Sequence, residues 1–473
     1  MTAPGSAARP DPLGPEAVED LARWVAMATV SSDPERAAEV RRSAHWLTAA
    51  MRRLGVPRAE VWETQGLPAV YGCWPAADPA APVLLVYSHH DVHAADPREW
   101  RVTPPFQPVR RGGRLYGRGA SDAKGQVMCH LWALRAHLAA GAGSGRAAPA
   151  VTVKYLIEGE EEIGSVHLAD LLAEHPGELG ADVVMVSDTM LWALDRPAVC
   201  TTVRGSVTAT LTVRGADRGI HSGAVSGAAS NAATELARVL GGLHDDSGRI
   251  TLPGFYDAVA DPAPALRESL ADFPFDTAAW LEQTGTFAAQ GEAGFTVPER
   301  LWTRPAAEVA RLTAGRTDMP SLGLVPPEAG ADLLLRLVPD QRADRVAEQL
   351  RAWLDARRRP GYRYLLDVSP TISDPYRTPS DHPALAALTR AVGHAYGAPA
   401  RPIGNGGAAP AAQLARACDA PVLFFGTGLP GDRWHGPDEG VDLAALRLGI
   451  RALTRFLGEL ARSSGNSPAP PGP

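Results

Sequence analysis

The sequence predicts an α/β protein: a mostly parallel sheet flanked by helices, with a smaller α+β unit inserted into it. Three observations lead there. Short apolar runs bounded by turn residues alternate with helical patterns towards both ends of the chain. The middle has a different texture, opening on the strictly alternating "SVTATLTV", as in an antiparallel sheet covered on one face. Finally, 473 residues exceed one ordinary core, since domains average about 150 residues.

Taken in order, "APVLLVYS", "VTVKYLIEG", "ADVVMVSD" and "APVLFFGTG" read as buried strands. "QVMCHLWALRAHLAA" and "HLADLLAEH" read as the helices between them. In the middle, "SVTATLTV" is followed by a helix near "NAATELARVLGGL" and strands near "AAEVARL" and "ADLLLRLV". A helix in "RADRVAEQLRAWLDARR", begun by Asp340 or a polar neighbour, and a strand "YRYLLDV" complete it. Strand, helix, two strands, helix, strand makes one compact unit. These patterns predict a discontinuous first domain over 1–202 and 376–473, and an inserted one over 203–375.

Apolar content of 45% and charged content of 21% are those of a globular protein. A net charge of −7 without a basic stripe argues against a nucleic-acid partner. No apolar run approaches the roughly 20 residues that cross a bilayer, and the N-terminus lacks the basic start and apolar core of a signal peptide. Cys73, Cys129, Cys200 and Cys418 are scattered, which suits a reduced cytoplasm. Lys124 and Lys154 are the only lysines among the basic residues, a bias read as that of a GC-rich genome. The tail "SSGNSPAPPGP" reads as disordered.

The polar clusters fall just past the C-terminal ends of predicted strands, the edge where open α/β sheets bind ligands. "YSHHDV" follows the first run, "EGEEEIGS" the second, Asp188 the third, and "RWHGPDE" the loop after "LFFGTG". Asp122 of "GRGASDAKG" opens a helix. His89, Asp122, Glu162, Asp188 and His435 thus supply imidazole and carboxylate donors enough for two divalent ions. The mixture suits zinc and accepts manganese or cobalt. One carboxylate must bridge cations about 3.5–4 Å apart, and Asp122 is the candidate. Such cations would hold together a glutamate run that otherwise repels itself. Glu158 and Glu160 read as solvated charges, and His90 and His93 as loop or supporting residues rather than ligands.

These residues resemble the dinuclear metallopeptidases that include carnosinase-like dipeptidases, aminoacylases and glutamate carboxypeptidases. The resemblance runs from "YSHHDVHAADPREWRVTPPFQP" through "LYGRGASDAKGQ", "EGEEEIGS", "VSDT", "GIHSGAVSG" and "RLVPDQ" to "WHGPDE". It implies that His89, Asp188 and a bridging Asp122 hold one metal, and Asp122, Glu162 and His435 the other. Asp91 would accept the second ring N–H of His89 and fix its tautomer. Glu161 would be the general base, taking the proton of a bridging water whose pKa the cations lower towards ~7.

The inserted unit would then be a lid and dimerisation domain. His221 of "IHSG" resembles a histidine lent across a homodimer interface to the tetrahedral oxyanion. Arg336 of "RLVPDQ" resembles an arginine gripping the substrate carboxylate. Two departures stand out. Where dipeptidase members show Arg-x-Gly-Gly-Ser-Ile-Pro, this chain has "GNGGAAP", with Gly404 and Ala408 at the arginine and serine positions. Asn405 is the candidate replacement contact there, with a turn role as the alternative. His90 stands where a tyrosine is usual. The implied activity is hydrolysis of a peptide or amide bond in a small carboxylate-bearing substrate, dipeptidase-like. An N-acyl-amino-acid deacylase using the same centre is the alternative, and a non-catalytic binding protein on this fold a third reading.

Overall fold

Residues 12–142, 147–262, 264–315 and 323–463 are described by a computed structural model. Residues 1–11 and all but the first residue of the tail lie outside them. The chain divides into two units, one of residues 1–201, 378–403 and 413–473, the other of 202–377 and 404–412. The sequence assigned 404–412 to the first unit, but this segment groups with the second: the strand Arg401–Ala408 pairs with Ala198–Arg214. A Cβ on Gly404 would stand 2.5 Å from Trp302 Cβ and 2.8 Å from Thr202 Oγ1. A side chain at that position would require Trp302 to shift.

In the first unit a six-stranded sheet runs in the order Arg58–Trp62, Ala69–Trp74, Thr152–Glu158, Val83–His89, Val183–Val186, Val422–Phe424. The last three neighbour pairings are parallel. The other edge is an antiparallel hairpin that the strand patterns did not single out. Leu84, Val86, Val153 and Leu423 of the sheet join one core with Leu131 and Leu134 of helix Lys124–Ala142, Leu388 of Pro383–Tyr396 and Phe456 of Leu443–Ser463. Burying each such side chain stabilises by about 1.5–3 kcal/mol. A small antiparallel sheet of Val109–Arg111, Arg114–Tyr116 and Gly440–Asp442 brings the segments around Asp122 and His435 side by side.

The second unit is built on an antiparallel sheet ordered Ala306–Ala314, Glu328–Leu337, Ala198–Arg214, Arg363–Val368. The alternation of "SVTATLTV" is realised: Val207, Ala209, Leu211 and Val213 are buried with Leu236, Leu350 and Trp353 of two helices, Ala232–Leu240 and Ala343–Asp355. Asp340 does not start the second helix. It begins after Arg342, and its first N–H, at Ala343, donates to Asp374 Oδ1 at 2.9 Å. Three short helices within 264–302 were not anticipated. The last, Val297–Trp302, carries a capping box between Thr296 and Glu299 that "TVPE" spells out. No helix among the described residues is long and apolar enough to cross a membrane, and no disulfide joins the four cysteines.

Candidate metal centre

Parallel pairing sets the strand ends of the first unit nearly flush. His89 pairs with Glu158, and Tyr87 with both Leu156 and Val186. Residues one to four places beyond those ends therefore share one edge. His89 closes its own strand, Glu161 and Glu162 sit in a 3₁₀ turn after Glu158, and Asp188 lies two residues past Val186. Asp122 precedes the Lys124–Ala142 helix, with a cis peptide bond between it and Ala123. His435 comes from the loop after the Val422–Phe424 strand.

Their donor atoms form two groups, His89 with Asp122 and Asp188, and Asp122 with Glu162 and His435, each within 4.8 Å. Asp122 belongs to both. Its Oδ1 is 3.2 Å from His89 Nε2, while its Oδ2 is 3.0 Å from His435 Nε2. Asp188 Oδ1 lies 3.7 Å from His89 Nε2, and Glu162 Oε2 lies 3.0 Å from His435 Nε2. A carboxylate with one oxygen turned to each group has the form required of a bridge.

The charge balance shows what the cluster lacks. Burial, then the Coulombic repulsion of neighbouring carboxylates, pushes the Glu161 and Asp188 carboxyls up, Glu161 well above its usual range. Burial pushes Glu162 up too, against its hydrogen bond to His435. Hydrogen bonds to Asp122 and Glu162 raise His435 to about 10. Burial opposes ionisation of His89, but Asp122, Asp188 and Asp91 outweigh it and hold it well above the usual value. Asp122 alone among the five donors is held low, by hydrogen bonds from His435 and His89 that outweigh its burial; the other carboxylates and both imidazoles favour the protonated form, the response of a buried site short of positive charge. Asp188 Oδ1, moreover, is buried with no hydrogen-bond partner among the described residues. Oxygen and imidazole donors short of positive charge fit divalent cations.

A supporting layer holds the donors. The Asp91 carboxylate accepts the backbone N–H groups of Glu161 and Glu162 at 3.3 and 3.1 Å. His89 Nδ1 faces both the Asp91 carbonyl at 3.2 Å and its carboxylate at 3.4 Å. Asp91 therefore contacts both the glutamate turn and the His89 ring. Glu439 accepts from the N–H groups of Gly119, Ser121 and Asp122, and pairs with Arg118 at 2.7 Å. Arg118 in turn donates to the His435 carbonyl at 2.8 Å. The sequence reading missed Arg118 and Glu439, although both lie inside the quoted motifs "GRGASD" and "WHGPDE".

The solvated reading of Glu158 and Glu160 is corrected: both are buried. Tyr87 and Ser165 hydroxyls donate to Glu158, whose carboxyl burial pushes up to about 7. Glu160 accepts from Leu67 N–H at 2.9 Å and pairs with the His167 ring at 2.8 Å. The strand is buried on both faces at its end, so its flanking acids face protein donors instead of water. Glu161, by contrast, has no side-chain hydrogen bond among the described residues. The His90 ring turns to the Pro68 carbonyl at 3.0 Å, and burial pushes it down to about 4.

The remaining candidates lie in the second unit. His221 is exposed, and its Nδ1 accepts the Gly223 N–H at 3.1 Å, which leaves the proton on Nε2. Arg336 sits on the sheet face away from the helices, opposite Ser206 in register. Desolvation lowers its pKa. Arg204, two residues from Ser206, is buried, and burial and then the Arg336 charge push it down to about 10. Neither guanidinium forms an ion pair among the described residues. Arg204 instead donates to the Arg300 and Arg304 carbonyls. Asn405 Oδ1 accepts the Gly407 N–H at 2.9 Å, which gives it the turn role.

The family model described as peptidase family M20/M25/M40 matches residues 85–459. A cysteinylglycine-S-conjugate dipeptidase of Corynebacterium striatum is 30% identical over 449 residues, covering 93% of this chain and 94% of that protein. A human β-Ala-His dipeptidase is 24% identical, covering 94% and 90% respectively. An M20 family metallo-carboxypeptidase from Sulfolobus solfataricus has a similar solved structure, with a TM-score of 0.84 at 28% identity over 95% of this chain and 100% of that one.

Proposed function

Because the chain belongs to peptidase family M20/M25/M40, we propose that it is a metal-dependent hydrolase that cleaves small carboxylate-bearing dipeptides. One observation carries this reading. The two oxygens of Asp122 face two histidines, at 3.2 and 3.0 Å, inside two three-donor groups.

His89, Asp122 and Asp188 would hold one divalent ion, and Asp122, Glu162 and His435 the other. Zinc is the proposed ion, with manganese or cobalt as substitutes. When bound, the pair supplies Lewis acidity towards a scissile carbonyl and an acidified water. The chain supplies the rest. Glu161, with a raised pKa and an uncommitted carboxylate, takes the proton of the attacking water and returns it to the leaving amine. Asp91 keeps Glu161 and Glu162 in place by their backbone N–H groups.

In the second unit, which we take as a lid and dimerisation domain, Arg336 takes the substrate carboxylate, since it has no acid partner of its own. His221 offers its Nε2 proton to the developing oxyanion across a homodimer interface. The absence of disulfides agrees with a cytoplasmic setting. The dipeptidase names of two relatives favour a dipeptide over an N-acyl amino acid.

The test is a panel of dipeptides and N-acyl amino acids, assayed with added zinc, manganese or cobalt. Dipeptide hydrolysis that disappears with a chelator is the expected outcome. Hydrolysis confined to the acyl series would make the protein a deacylase. No turnover of either series, with fewer than one metal per chain, would make it a binding protein.

A further inference from the structure

The five donors are not equally enclosed. Side-chain exposure is 0% for His89, 5% for Asp122, 12% for Asp188 and 4% for Glu162, but 52% for His435. His435 also sits in a loop at a left-handed φ of 60°, between Arg433 at 60° and Asp438 at 57°. No strand or helix aims its ring. Something else must keep Nε2 turned to Asp122 and Glu162.

His93 is placed for that task. Its ring lies 4.6 Å from the His435 ring, centroid to centroid, with the planes 15° apart. Its backbone N–H donates to Glu162 Oε1 at 3.0 Å, leaving Oε2 to face His435. Its own Nδ1 is tied to the Ala94 carbonyl at 3.0 Å, which fixes the ring against rotation. We propose that His93 is a positioning residue for the Asp122–Glu162–His435 half of the centre: its ring backs the His435 imidazole while its N–H orients Glu162. One residue thereby fixes two of the three donors, and none of the His89–Asp122–Asp188 group.

The proposal rests on the two-metal reading and predicts an asymmetry that this reading alone does not. Residues that orient metal ligands typically set affinity by 10- to 100-fold. His93→Ala removes the stacked ring and keeps the N–H; His93→Phe keeps a flat ring. Calorimetric zinc titration of the metal-stripped chain, with far-UV circular dichroism to verify folding, separates the outcomes. His435→Ala identifies which binding step belongs to its half. The expected result is two steps in the wild type, with that one step weakened about tenfold in His93→Ala. The other step stays unchanged, and His93→Phe lies within about twofold of the wild type by the same reasoning.

Unchanged binding in His93→Ala would overturn the proposal, as would equal weakening of both steps, or a His93→Phe chain as weak as His93→Ala. The two-metal reading survives all three of those results. No metal uptake by the wild type would overturn both.

Discussion

The two units carry opposite imbalances of charge. In the first, Glu161, Glu162, Asp188 and Asp122 crowd around two imidazoles, with no lysine or arginine paired to them among the described residues. In the second, burial lowers the pKa of both Arg204 and Arg336, and the Arg336 charge lowers that of Arg204 further, with no acid partner for either among the described residues. The other buried arginines are paired, Arg118 with Glu439 and Arg304 with Glu292. Leaving a buried charge without a counter-charge costs several kcal/mol, so each imbalance carries a folding cost. The proposed function supplies each with a charge from outside: cations in one unit, a substrate carboxylate in the other.

The largest expected effect tests the acidic side. Glu161→Gln removes the proposed base and leaves every donor of both groups in place. It should lower kcat by about 10²–10⁴-fold, the usual contribution of a general base, with two metals per chain retained by elemental analysis. Retained turnover would assign the proton to another group. The basic side should respond differently. Arg336→Met is expected to raise KM about 10- to 150-fold, the equivalent of a charged hydrogen bond of about 1.5–3 kcal/mol. Its melting temperature should not fall, because a charge without an acid partner is removed. A loss of stability would show that Arg336 is paired in the fold and would erase the contrast between the units.

A paired charge gives the control. In Arg118→Met, Glu439 is left buried and uncompensated, and denaturant unfolding should show a loss of about 3–5 kcal/mol. Burial already pushes the Glu439 carboxyl up to about 7, against the pull of Arg118. Measured below that pH, where the acid can take up a proton, the loss should shrink. If Arg118→Met and Arg336→Met destabilised equally, the distinction between satisfied and waiting charges would fail.

The legible parts of this protein are those where chemistry or period repeats in the chain. Alternation marked the Val207–Val213 face, and apolar runs marked the four parallel strands. Polar residues at or past strand ends marked four of the donors and a helix start marked Asp122, and the fold brings the five within 4.8 Å in two groups. Contacts between distant segments left no such trace. Glu158 and Glu160 looked solvated because a run of charge usually is, and only the fold supplies Tyr87, Ser165, Leu67 and His167 as their donors. The lysine count concealed a similar lesson. Lys124 and Lys154, read as survivors of codon bias, both donate to backbone carbonyls, of Trp24 and Met27 and of Gly180. A compact ammonium serves such places better than a planar fork.

The smallest expected effect concerns protons at the acidic site. Without a cation, His435 has its pKa raised to about 10 by Asp122 and Glu162, so at neutral pH a proton occupies the lone pair that a metal would use. Binding must expel that proton. The sign follows: a folded-state pKa above the ordinary value means the proton is held from low pH up to about 10, so metal affinity rises as pH rises across that window. For one displaced proton the slope is about tenfold per pH unit. Competition with a chelator at several pH values between neutrality and pH 9 measures the slope. Calorimetry in buffers of different ionisation enthalpy counts the protons released. His435→Ala should reduce that count. A pH-independent affinity would mean that the donors stand ready for metal without first giving up protons, and the negative cluster would then need some other source of positive charge.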